Sequence, residues 1–157
     1  TVPAWNSPAT PISFSLATLL LGLVSGTFIL LLASIQSGNN QNNFVEDFLQ
    51  SASTVVTLLL IMQLVTFLFH IIRLSRGGRA SLASVNTIFV DKRALFISRI
   101  VLTVFSLIPL LAIIGKGIDY SETTLLSLVT GATMILVWSA ELIGRFLFYE
   151  SHHRIGL

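Results

Sequence analysis

Ionisable side chains are scarce in this sequence, and four of them interrupt long apolar runs. Glu141 and Arg145 stand in "LVWSAELIGRFLFY", His70 in "QLVTFLFHIIRL" and Arg99 in "SRIVLTVFSLIP". A carboxylate, an imidazole and two guanidiniums in apolar surroundings are the groups that move protons or hold a polar head group at membrane depth. Glutamate first and arginine four residues later is the favourable order for an ion pair on one helix. Two roles follow for that pair. Glu141 and Arg145 could form a structural ion pair that braces the segment. Alternatively, Glu141 could take part in proton or ligand handling and His70 in proton relay or contact with a quinone head group, with Arg99 in a snorkelling or docking role rather than a catalytic one. A charge at the centre of a membrane helix costs about 2.5–3.5 kcal/mol on the insertion scale, so either role must offset that cost.

Other chemistries are thinly supplied. The chain has no cysteine, which excludes disulfides, iron–sulfur clusters and thiolate metal sites within it. A haem held between helices would need a histidine from each of two apolar runs, and His70 is the only one inside such a run; His152 and His153 lie in the C-terminal tail. Neither a hydrolase triad, a metal-ligand set nor a phosphate-cradling glycine loop is present.

The elements that must position these residues are set by composition. Of 157 residues, 54% are hydrophobic and 10% charged, with a mean hydropathy of +0.87. Soluble domains carry about 25% charged residues, so this chain has too few to coat a water-facing surface. The net charge of +2 is too small to suggest nucleic acid. Crossing the hydrocarbon takes about 20 apolar residues, and four runs meet that need: residues 12–35, 52–74, 94–114 and 123–149. Backbone groups in lipid must bond within their own segment, so the expected fold is all-α: one transmembrane domain, an antiparallel bundle of four helices. The start "TVPAWNSPATP" lacks a basic and an apolar signal region and begins without methionine, as expected of a processed chain or a piece of a longer one.

Alternation of the spans puts the N-terminus, the second loop and the C-terminus on one side of the membrane (side one). Arg73, Arg76, Arg79, Lys92, Arg93 and Arg154 fall there, and Lys116 falls on side two. That asymmetry places side one in the cytoplasm by the positive-inside rule. The basic second loop could also meet an acidic partner. At i, i+3, i+4 spacing the spans carry polar or small stripes expected to face inward. These are Ser15, Thr18, Gly22, Ser25, Gly26, Ile29 and Ala33; Gln63, Thr66, His70 and Arg73; Arg99, Thr103, Ser106 and Pro109; and Ser127, Gly131, Met134, Trp138, Glu141 and Arg145. Gly22 and Gly26 form a small-xxx-small pair suited to close helix approach, and Pro109 is expected to kink its span. Every ionisable group inside a span falls in the side-one half.

Several stretches go further. "TVPAW" (Thr1–Trp5), "SRIVL" (Ser98–Leu102), "AELIGRFLFY" (Ala140–Tyr149) and the tail "YESHHRIGL" resemble the membrane-anchor C subunit of anaerobic dimethyl sulfoxide reductases. The resemblance extends, with gaps, over essentially the whole chain. It implies the second half of an eight-helix anchor in a bacterial inner membrane. Such a subunit anchors an iron–sulfur electron-transfer subunit and a molybdopterin catalytic subunit, and oxidises menaquinol to supply them in anaerobic respiration. The anchor is then a non-catalytic subunit of an oxidoreductase, with no haem or iron–sulfur cluster of its own. The resemblance also makes side one, which bears "TVPAW" and the C-terminus, the face that docks the electron-transfer subunit, and it places that face outside the cytoplasm. Arg99, Glu141 and Arg145 carry over as family-matched positions. Two rival classes remain: the anchor of a related polysulfide- or nitrite-type reductase, and a non-redox four-helix transporter or assembly factor.

Overall fold

The computed structural model describes residues 9–37, 42–76, 86, 90–115 and 123–153. They form four long helices: α1 (Ala9–Ser37), α2 (Asn42–Ser75), α3 (Arg93–Ile114) and α4 (Thr123–His153). Each is long and apolar enough to cross a membrane. Even the shortest, α3 with 22 residues, extends about 33 Å at about 1.5 Å per residue. Helices consecutive in the chain pack side by side and α4 closes the ring against α1, so every helix has two neighbours. The fold is therefore the antiparallel four-helix membrane bundle that composition demands.

The bundle interior is layered. At the side-two end, Leu31, Leu49, Ile113 and Leu126, one from each helix, form a closed apolar cluster. Mid-membrane, Leu20, Val24, Val56, Leu60, Leu110 and Val137 form a second one. Between the two lie the buried hydroxyls of Thr27, Ser53, Thr130 and Thr133. Beyond the central cluster, towards side one, come Gln63, Thr103, Ser106 and Glu141, all buried. Away from the side-one end, two polar links join neighbours among the described residues: Trp138 Nε1 donates to Ser25 Oγ at 3.1 Å, and Gln50 Nε2 donates to the Ile114 carbonyl at 3.5 Å.

The structure revises several expectations. α2 starts at Asn42, inside a stretch read as loop, because Leu49 near that end belongs to the side-two cluster and extends the buried face outward. α4 continues as helix to His153, while its membrane-crossing part ends at Tyr149. Pro109 lies within α3 without ending it. The largest revision concerns α1. Ser15, Thr18, Gly22 and Ala33 are exposed and Ile29 is 62% exposed, while Leu16, Ala17, Leu20, Val24, Thr27 and Leu31 are buried. The reason is solvent: lipid does not penalise an outward isoleucine, and a hydroxyl can face lipid when it bonds its own helix. Thr18 does so, donating to the Phe14 carbonyl at 2.9 Å. A Cβ at Gly22 or Gly26 would meet nothing within 4 Å, whereas one at Gly131 would lie 3.0 Å from the Phe28 ring. Close approach of α1 and α4 thus depends on Gly131. The segment "TVPAW" and most of the second and third loops lie outside the described residues.

Candidate functional site

Antiparallel packing brings four helix ends together at side one: the start of α1, the end of α2, the start of α3 and the end of α4. They enclose a cavity of about 80 Å³ lined by His70, Arg99, Glu141 and Arg145, with Gln63, Thr66 and Phe67 of α2 and Ser13 and Phe14 of α1. One water needs roughly 10–15 Å³ on this scale, so several would fit. All four ionisable residues singled out in the sequence therefore line one chamber. The second, smaller cavity between the helices has no ionisable side chain in its wall.

Local periodicity explains why they meet. On α2, Gln63, Phe67 and His70 stand at i, i+4 and i+7, one face of a helix; on α4, Glu141, Arg145 and Phe148 repeat that spacing. Arg99, in the second turn of α3, reaches across to both. Its guanidinium carbon lies 4.2 Å from the centre of the Phe67 ring, within cation–π range. Its Nη2 lies 3.9 Å from Glu141 Oε1, with only 14% of the Arg99 side chain and 9% of the Glu141 side chain exposed. Gln63 Nε2 donates to the same Glu141 oxygen. Glu141 is thus held by α2 and α3 together, while its Oε2 has no bonding partner among the described residues.

The i, i+4 ion pair expected between Glu141 and Arg145 is replaced by this interhelical one. Arg145 instead places its guanidinium 5.1 Å from the centre of the Phe14 ring on α1. Phe14 in turn meets Phe148 edge-on at 5.7 Å. The physical reason is the number of competing partners. Glu141 is buried where Gln63 and Arg99 converge on it, and Arg145, one turn closer to side one, has an aromatic face within reach of its long stem. His70 is half-buried in the cavity wall, and Arg73, on the same expected stripe, is exposed.

Gly144 was not singled out by sequence reasoning. A Cβ there would lie 2.5 Å from Arg99 Cζ, 2.7 Å from Nε and 2.9 Å from Nη2. The missing side chain is a slot, and Arg99 is sandwiched between that slot and the Phe67 ring. The available signal was positional: a glycine three residues after Glu141 stands on the same helix face. Phe67 and Phe14 were missed for a different reason, since an aromatic residue in an apolar run carries no mark of the cation it will meet.

A bundle of four membrane-crossing helices, with its buried charges gathered into one chamber near a membrane face, defines a multi-pass membrane protein with a polar intramembrane site. The family model of the DMSO reductase anchor subunit (DmsC) matches residues 1–150, and the chain belongs to that family. No curated protein and no solved structure matches it.

Proposed function

We propose that this chain anchors a DMSO reductase complex in the bacterial inner membrane and oxidises menaquinol in the side-one chamber. Electrons then pass to an iron–sulfur subunit docked on that side, and from there to a molybdopterin subunit that reduces dimethyl sulfoxide. The observation that carries this reading is the state of Glu141: a buried carboxylate with one oxygen fixed by Gln63 and Arg99 and the other without a partner among the described residues, facing a cavity with aromatic walls.

The chemistry balances. A quinol that becomes a quinone releases two protons and two electrons. The second oxygen of Glu141 is placed to accept one proton, and the imidazole of His70, in the same wall, to accept the other. Arg99 stays charged throughout and holds the carboxylate in place; its remaining N–H groups suit a quinone oxygen. Phe14, Phe67 and Phe148 line the same cavity and give it apolar surroundings that suit a naphthoquinone ring. The electron pair leaves to the iron–sulfur subunit, which is the oxidant.

The test is Glu141→Gln in the whole complex, which keeps the side chain's shape and removes its charge. We expect complex yield and dye-driven sulfoxide reduction to be retained, while menaquinol-driven reduction falls by about 10²–10⁴-fold, the range of a lost general base. Unchanged quinol-driven turnover per assembled complex, with or without lowered yield, would overturn this reading and leave Glu141 as a brace between helices.

A further inference from the structure

The second cavity lies in the opposite leaflet, between the two apolar clusters. It measures about 20 Å³ and is walled by Thr27 of α1, Ser53 of α2, Leu110 and Ile113 of α3, and Thr130 and Thr133 of α4. Four hydroxyls therefore face one small space, contributed by three helices.

Their hydrogen bonding is unequal. Thr27 donates to the Leu23 carbonyl at 2.7 Å, Thr130 to the Leu126 carbonyl at 2.9 Å and Thr133 to the Val129 carbonyl at 2.8 Å. Each threonine has spent its single proton inside its own helix, so its oxygen can offer the cavity only lone pairs. Ser53 differs. It is 4% exposed and lines the cavity, and among the described residues its hydroxyl has no partner. A buried polar group left unpaired is destabilising, and buried hydroxyls are therefore almost always bonded to protein or to ordered water.

We propose that this cavity holds one ordered water molecule, which accepts a hydrogen bond from Ser53 and donates to the oxygens of Thr27 on α1 and Thr133 on α4. The count matches: buried waters make about three hydrogen bonds each and need roughly 10–15 Å³, so the space holds one comfortably. A monovalent cation fits worse. The wall offers no carboxylate to neutralise it, and an uncompensated charge at this depth is costly. A dry cavity fits worse as well, because dry cavities are lined by apolar groups alone. The water would tie α2 to α1 and α4 in a layer where the threonine hydroxyls otherwise bond only within their own helices.

The experiment is thermal melting of the intact membrane complex carrying Ser53→Ala or, separately, Thr133→Val. A bridging water loses a partner in either variant, so each should melt lower, by about 2–4 °C. In a dry cavity Ser53→Ala removes an unpaired hydroxyl and raises the melting temperature, and Thr133→Val leaves it unchanged. Either variant melting at or above the parent overturns the proposal. If one variant prevents assembly, the other still decides, and a density peak within hydrogen-bond distance of Ser53 Oγ in a high-resolution map of the parent complex gives the same answer directly. An empty cavity in that map overturns it.

Discussion

The two halves of the bundle face the same difficulty, polar groups surrounded by hydrocarbon, and resolve it in different ways. Towards side two the polar groups are short. Thr27, Thr54, Thr57, Thr130 and Thr133 each donate to the carbonyl four residues earlier, so each helix satisfies its own hydroxyls. Towards side one they are long or charged and cannot fold back on their own helix. Gln63 must reach Glu141, Arg99 must reach Glu141 and Phe67, and Arg145 must reach Phe14. Apart from Gln50, which reaches the Ile114 carbonyl, and Ser53, one half is therefore helices that bond their own hydroxyls and pack by shape, and the other is a network that exists only when all four are in place. The six-residue apolar cluster at mid-membrane separates them. Chemistry that depends on a displaceable partner can be built only in the second kind of half.

The sharpest way to break this contrast is to remove Arg99. Arg99→Leu leaves Glu141 buried with its main counter-charge gone, and breaking a buried pair in this way costs about 3–5 kcal/mol. Thr130→Val removes a side-two hydroxyl that serves only its own helix, at a cost of about 1 kcal/mol or less. We expect Arg99→Leu to lower complex yield and melting temperature steeply and Thr130→Val to leave both near the parent. Equal melting of the two variants would remove the distinction between the halves.

Glycine provides the next test, because Gly144 faces a crowded slot and Gly22 open space. Gly144→Ala drives a methyl into the Arg99 guanidinium, which is packed against Phe67 on its other face. Overpacking of this kind costs about 1–3 kcal/mol. Displacing Arg99 also loosens Glu141, so quinol-driven turnover should fall further than stability does. Gly22→Ala meets open space and gains up to about 1 kcal/mol of helix propensity. The comparison is read from quinol-driven and dye-driven activity of the two variants side by side. Loss of both activities together in Gly144→Ala would make the slot a packing feature and nothing more.

Those glycines also mark how far the sequence can be read. The four spans, their antiparallel order and the gathering of His70, Arg99, Glu141 and Arg145 at one end were legible, because length, hydropathy and depth along a helix are properties of the chain itself. Depth along a helix follows from counting residues; direction around it does not. In water an amphipathic stripe fixes direction, since apolar residues must turn inward. In lipid leucine and isoleucine are as comfortable outside as inside, and α1 shows the result: Ser15, Thr18, Gly22 and Ala33 of its stripe face outward while Leu20 and Leu31 fill the core. The stripe on α3 was legible because Arg99, Thr103 and Ser106 include a charge that must be buried against a partner. The identity of that partner was not legible. The rule for i, i+4 pairs describes an isolated helix, and it fails for Glu141 because Gln63 and Arg99 arrive from α2 and α3.

The smallest expected effect tests that last point. Arg145 can interact with two groups: the Phe14 ring 5.1 Å away and the carboxylate of Glu141 one turn below it. A double-mutant cycle of Phe14→Leu with Arg145→Gln isolates the first, and one of Glu141→Gln with Arg145→Gln isolates the second. Cation–π contacts are worth about 0.5–1 kcal/mol when exposed and about 2 when desolvated. With Arg145 half-buried at the cavity rim, the first cycle should return a coupling of about 1 kcal/mol by thermal or denaturant unfolding of the complex. The second should return less, because Glu141 Oε1 is already engaged by Gln63 and Arg99 and the remaining attraction acts across a water-accessible chamber. A larger coupling in the second cycle would mean that the charges of α4 pair along their own helix after all. In that case the side-one half would resemble the side-two half more closely, and the interhelical network would reduce to Gln63 and Arg99 around Glu141.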